Sequence, residues 1–223
     1  MSNPKKIVPI NWVRVPSLYS RVQQFFKGDG KKILPYLKQN PFYGIGVPHL
    51  DQGKDGSCVV FGFYSAIMHN TNLRVKSDEA MQTARDLQAT DGYIAWMMAE
   101  KMAEAYSLAR VTFKSPLDPD ALKVLDLGYA LACSTNFPVK FFIDWVADGI
   151  VDSEYERSDK NTKAENQTMI HFMVLKKNIN TGEYFFRNSW GAKISLGLFN
   201  EYKIKMDIIK KKNLLYRDCF LLV

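Results

Sequence analysis

Asp51-Gln52-Gly53-Lys54-Asp55-Gly56-Ser57-Cys58 runs directly into Val59-Val60-Phe61-Gly62-Phe63-Tyr64-Ser65-Ala66-Ile67-Met68-His69. A polar loop with two glycines thus meets a nearly all-apolar stretch, which reads as a helix buried on every side. The loop delivers Cys58 to the first position of that helix. There the unpaired N–H groups and the helix dipole favour thiolate, lowering a thiol pKa from about 8.5. The glycines let the loop fold tightly against the helix start, and the Cys58 N–H has no intrahelical partner. Such an N–H is one half of an oxyanion hole, and the side-chain amide of Gln52 is the candidate for the other half. A lone cysteine at the edge of an apolar helix is commonly an inert thiol, so the chain must also supply a base.

Three histidines are available. His69 lies eleven residues down the same helix, roughly 16 Å from Cys58 at 1.5 Å per residue, which excludes it by geometry. His49 sits in an extended Val-Pro-His-Leu stretch and reads mainly as surface or local packing. His171 begins a predicted strand His-Phe-Met-Val-Leu, and a second strand ends in Arg187-Asn188-Ser189-Trp190-Gly191. The five residues Asn178 to Gly182 make the two a hairpin. Its register makes His171 and Asn188 cross-strand neighbours. The Asn188 amide oxygen then accepts from the imidazole, fixes its tautomer and aims the other nitrogen at the thiolate. Trp190 is placed to cover that hydrogen bond.

Outward from these motifs the texture divides the chain. Helices are predicted at Cys58 to His69, Ser77 to Leu87 with Ser77 as N-cap, Tyr93 to Leu108 and Asp120 to Leu127. Strands are predicted at Gly128 to Cys133, His171 to Lys176 and Glu183 to Trp190. A helical half followed by a sheet half makes the class α+β, with a cleft between the halves as the default site. Before residue 45, Leu18 to Phe26 and Ile33 to Leu37 read as short helices, and Pro41 to Pro48 as extended.

The chain has 223 residues, 47% of them hydrophobic, including 14 Phe, 11 Tyr and 4 Trp. That excludes intrinsic disorder and supports one large core or two small ones. No apolar run reaches membrane-spanning length, and no signal-peptide pattern follows the start. Three cysteines rule out a dense disulfide framework and favour a reducing compartment; Cys133 and Cys219 read as core and terminal-strand positions. The formal charge of +7 is spread over scattered lysines with no aromatic-interleaved basic stripe, so it reads as a solvated face rather than a nucleic-acid surface. No metal-ligand spacing or cofactor motif is present.

Taken in order, Gln52-Gly53-x-x-Gly56-Ser57-Cys58, then His171, then Asn188-Ser189-Trp190-Gly191 resembles the papain and cathepsin family of cysteine peptidases. With Asp55 where secreted members carry a disulfide cysteine, it is more similar to the intracellular bacterial and viral branch. The likeness runs from about Pro48 to Val223. It includes a Gly92-Tyr93 pair similar to the family's substrate-binding glycine segment, and an Asp-Cys-Phe-Leu-Leu-Val end similar to that branch's closing strand.

The resemblance implies a papain-like α+β fold, with a helical left domain (48–118) facing an antiparallel sheet or barrel right domain (119–223) across an active-site cleft. Residues 1–47 form an N-terminal segment, either a packing arm or, over 18–40, a short plug in the cleft. It implies a cysteine–histidine ion pair, an oxyanion held by Gln52 and the Cys58 N–H, and Asn188 orienting His171. Gly92 and Tyr93 would line the substrate side, and Phe172 and Trp190 would shape the adjoining pockets. Val59, Phe172 and Ala192-Lys193-Ile194-Ser195 depart from the usual pattern. Three readings follow: a cysteine endopeptidase acting on polypeptides, an acyl transferase or isopeptidase with the same nucleophile, or a catalytically silent binding protein. The expected location is inside a cell, in cytoplasm or packaged in a viral particle.

Overall fold

The apolar run after the loop folds as α1, Cys58–Asn70, with every residue from Val59 to Met68 buried. A helix so apolar on all sides has to be enclosed by other elements. The computed structural model describes residues 30–90, 93–138, 150–151, 168–190, 201–204 and 215–223. Among these, α1 is joined by α2 (Ser77–Asp86), α3 (Ala95–Ala105) and α4 (Pro119–Asp126), and by a short 3-10 helix at Gly30–Tyr36. Asp118 caps α4 by accepting from the Asp120 N–H at 2.9 Å, and Pro119 takes the first helical position, where its missing N–H costs nothing.

Among the described residues seven strands form one sheet. They are β1 (Arg110–Phe113), β2 (Leu131–Pro138), β3 (Ile150–Val151), β4 (Thr168–Lys177), β5 (Tyr184–Arg187), β6 (Glu201–Ile204) and β7 (Leu215–Leu222). Their spatial order is β1-β7-β2-β4-β5-β6-β3. Neighbours are antiparallel except the edge pair β6 and β3, which is parallel and departs from the purely antiparallel expectation.

Strand alternation sorts the core into two layers. Ala132, Phe172, Val174, Phe220 and Leu222 face α1, α2 and α3. Leu131, Cys133, Met173, Leu175, Cys219 and Leu221 face α4 and the 3-10 helix. The helical layer is pinned at the far end of α1 by Asn70. Its amide donates to Ala130 O and Leu222 O at 2.9 and 3.1 Å and accepts from the Ala130 N–H at 2.7 Å, so one buried side chain binds the helix to β2 and β7. Gly62 makes the closest approach. A Cβ there would stand 2.6 Å from the Phe172 ring, so only glycine lets α1 lie this near β4.

Several boundaries differ from the sequence expectation. The strand predicted from Gly128 begins at Leu131, because Gly128 (φ +81°) is part of the turn closing α4. The strand predicted to end at Trp190 stops at Arg187, and His171 lies three residues inside β4 rather than at its start. Pro41 to Ile45 is a turn rather than extended chain. Lys76, not Ser77, is the N-cap of α2, where Glu79 accepts from the Lys76 N–H at 2.8 Å. The segment expected to be helical also contributes β1, an edge strand. Leu18 to Phe26 lies outside the described residues. Of the stretch 18–40, the described part from Gly30 on packs Ile33, Leu34 and Leu37 against the α4 side of the sheet.

Candidate active site

Cys58 opens α1 and is half-buried. Burial pushes its thiol pKa up, opposed by the main-chain N–H groups of Phe172, Val59 and Cys58 itself, which favour thiolate. The Phe172 N–H belongs to β4, so the residue before it, His171, is carried to the mouth of the nucleophile helix by the sheet.

The His171 Nε2 lies 2.7 Å from Asn188 Oδ1. That oxygen also accepts the Ser189 N–H at 2.7 Å, which fixes which end of the amide is oxygen. A carbonyl oxygen on Nε2 requires the proton there, leaving Nδ1 as the basic nitrogen. Burial lowers the His171 pKa, and the hydrogen bond that the ring donates to Asn188 Oδ1 opposes the shift. With the thiol pushed up and the imidazole down, burial favours the neutral pair over the ion pair that the resemblance implies. Thr135, fully buried on β2, donates to the His171 carbonyl at 2.8 Å and holds the backbone beneath the ring.

The meeting of His171 and Asn188 is not a rung of the hairpin. The β4–β5 ladder ends at the pair Val174 and Arg187. Past that point the chain leaves β4 and pairs with the loop at Asp51 and Gln52 instead. Asp51 bridges to Trp190, and the Gln52 N–H donates to Ser189 O at 2.8 Å. The gap this opens beside His171 admits the Asn188 side chain and lets Trp190 stack on the imidazole, ring centroids 5.0 Å apart at 29°.

Gln52 is 5% exposed and held from both ends. Its Oε1 accepts from the Ser189 hydroxyl, and its Nε2 donates to Asp55 O at 2.7 Å, leaving the second N–H of the same nitrogen for another acceptor. Gly53 makes this loop possible with φ +62°, and its N–H is bound by Asp51 Oδ1 at 2.9 Å. The Asp51 N–H donates in turn to Ser77 Oγ at 2.8 Å, so the residue expected to cap α2 anchors the loop.

The four residues read from sequence as catalytic therefore lie on connected elements. The substrate-side residues fare differently. Phe172 is 2% exposed and packs between Phe63 and Phe220, with ring centroids 4.9 and 6.5 Å away. It is core, because its place on β4 turns it toward α1, and its contribution at the site is its N–H. Tyr93 is half-buried against the helical layer, and Gly92 lies outside the described residues. The contacts that Ser189, Thr135 and Ser77 make at the site carried no sequence signal, since each reaches a neighbour distant in the chain. Among the described residues no three His, Cys, Asp or Glu side chains converge as metal ligands do, and no helix is long and apolar enough to cross a membrane.

No family model and no curated protein matches the chain. Among solved structures it is similar to xylellain, a cysteine protease from Xylella fastidiosa, with a TM-score of 0.52 and 14% sequence identity, covering 86% of this chain and 88% of that one. At that identity the likeness is one of fold, and the mixed helix and largely antiparallel sheet of this chain are consistent with a cysteine protease fold.

Proposed function

We propose that this chain is a cysteine endopeptidase with Cys58 as nucleophile, His171 as general acid and base, Asn188 as its orienting partner and Gln52 as oxyanion donor. The observation that carries the reading is the position of β4, which presents the Phe172 N–H to the Cys58 sulfur and the adjacent His171 to Asn188 at 2.7 Å.

Cys58 Sγ attacks the scissile carbonyl carbon as its proton passes to His171 Nδ1. The tetrahedral oxyanion is held by the Cys58 N–H and the free N–H of Gln52 Nε2. On collapse the imidazolium protonates the leaving amine, leaving a thioester on Cys58. His171 then takes a proton from water, whose oxygen attacks the thioester and releases the acid and the thiol. The substrate chain runs in the cleft between the helical layer and the strand ends, pairing beside Gly92 and Tyr93 as an added strand.

An irreversible thiol-directed epoxide, with Cys58→Ala as control, tests this. Cys58 is alkylated faster than Cys133 or Cys219 near neutral pH if the reading holds; equal or slower reaction at Cys58 removes it. Cleavage of a peptide library by the wild-type chain, lost in Cys58→Ala, separates a peptidase from a silent binding protein or an acyl transferase.

A further inference from the structure

Arg187 immediately precedes Asn188, yet its side chain takes no part in the chemistry above. It is 4% exposed. Its Nη1 lies 3.1 Å from His69 Nε2 on α1, its Nη2 donates to Val47 O at 2.7 Å, and Glu201 of β6 stands 3.9 Å away. These contacts fall on three parts of the site. His69 is on the helix that begins at Cys58, Val47 lies five residues before Gln52, and Arg187 is the last residue of the strand whose continuation carries Asn188.

We propose that Arg187 is a positioning residue that clamps the strand end bearing Asn188 to the helix bearing Cys58 and the segment bearing Gln52, and that the clamp holds only while His69 is neutral. The proposal rests on the catalytic reading of Cys58, His171 and Asn188.

The second clause follows from donor and acceptor counting. A guanidinium has five donors and no acceptor, so His69 Nε2 must offer a lone pair and the ring proton must sit on Nδ1. Protonating His69 turns that acceptor into a donor and sets two cations 3.1 Å apart. The surroundings resist this. Burial holds His69 well below the usual imidazole range, and Arg187, Lys176 of β4, Arg74 beyond the end of α1 and His49 just before the Gln52 loop all push the same way. The carboxylate beside Arg187, Glu201, is already 2.6 Å from Lys176. Acidification that overcomes this balance repels Arg187 from α1 and frees the strand end. Asn188 and Ser189, and through Ser189 the Gln52 amide, then lose their placement together.

The test compares wild type with Arg187→Met, Arg187→Lys and His69→Gln on a cleavable peptide across pH 4.5 to 8, with the His69 ring followed by nitrogen-15 NMR. In Arg187→Met kcat is expected to fall on the order of 10²-fold, the scale of a small misplacement of catalytic groups, with KM nearly constant. Arg187→Lys keeps a cation but cannot reach His69 and Val47 together, so it restores part of that loss. Glutamine at 69 offers an acceptor that does not titrate, so the acid limb of kcat moves to lower pH by about half a unit or more. Should Arg187→Met fail to fold, Arg187→Lys and His69→Gln carry the kinetic test. Wild-type kcat and pH profile in a folded Arg187 variant, or an unmoved acid limb in His69→Gln, overturns the clamp. If the wild-type chain neither cleaves peptides nor shows a reactive Cys58, the catalytic reading has failed. The His69 spectrum then decides the contact alone: neutral at pH 6 with the proton on Nδ1 in wild type and titrating nearer 6.5 in the Arg187 variants, or the same in all of them, which overturns it.

Discussion

His171 and His69 both meet the segment Arg187-Asn188, one at each residue and with opposite consequences. His171 donates its Nε2 proton to a neutral amide oxygen, which in the proposed function leaves Nδ1 to accept a proton from Cys58. His69 receives a hydrogen bond from a cation, and its basicity is spent on that bond. Burial lowers both pKa values, but the partner of His171 opposes the shift while the partner of His69 deepens it. In the proposed function the same side chain serves as a proton carrier in one place and a fixed acceptor in the other, and the difference lies in which of two consecutive residues it faces.

The sharpest way to break this contrast is to remove each ring. His171→Ala is expected to lower peptide hydrolysis by on the order of 10⁴-fold or more with a small change in stability. His69→Ala strips an acceptor from a buried guanidinium and lowers unfolding free energy by about 2–3 kcal/mol, read by urea denaturation. Exchanged phenotypes would assign the base to His69.

The oxyanion side comes next. Gln52→Ala should cost about 10²- to 10³-fold in kcat. Ser189→Ala, which only frees the Gln52 Oε1, should cost closer to about 10-fold. Equal losses in steady-state assays would mean that the Gln52 amide contributes nothing beyond its tether.

Asn188→Ala removes the bond that holds the His171 pKa up, so the acid limb of kcat/KM is expected to move to lower pH while the rate falls about 10²-fold. A limb that moves to higher pH would contradict the assigned tautomer.

The smallest effect is on stability against pH. His49, His69 and His171 all have lowered pKa values in the folded chain. The unfolded chain binds protons first as pH falls through about 6.5, so stability present above that value is lost on acidification. Urea midpoints at pH 7.5 and 5 measure the loss, and His69→Gln should reduce it. A flat profile would show that these rings are not held neutral.

Much of the site was legible because its chemistry is local. The Gln52 to Cys58 loop carries its glycines, its amide and its helix start within seven residues, and the apolar run after it could only be a buried helix. The hairpin was legible from its turn: Asn178 Oδ1 accepts from the Asn180 and Thr181 N–H groups, and Gly182 takes φ +75°. The register was not, because β5 gives up β4 at Arg187 for the oxyanion loop, and pairing between segments about 140 residues apart leaves no periodic trace. Phe172 was misjudged as a pocket residue for a related reason. Its neighbour is His171, but alternation along β4 turns its own ring into the core.

By itself, the sequence determined the glycine loop that places Cys58 at the start of a buried helix, the proposed set of Gln52, His171 and Asn188, and the helix-then-sheet order of elements, since these follow from helix termini, glycine freedom and the period of apolar residues. Only the tertiary structure decided that β4 touches α1 through the Phe172 N–H, that Ser189 ties the Gln52 amide to the Asn188 amide, and that Arg187 spans three segments to reach His69. Those arrangements depend on hydrogen bonds between residues far apart in the chain, and a buried donor finds its acceptor only after the layers have packed.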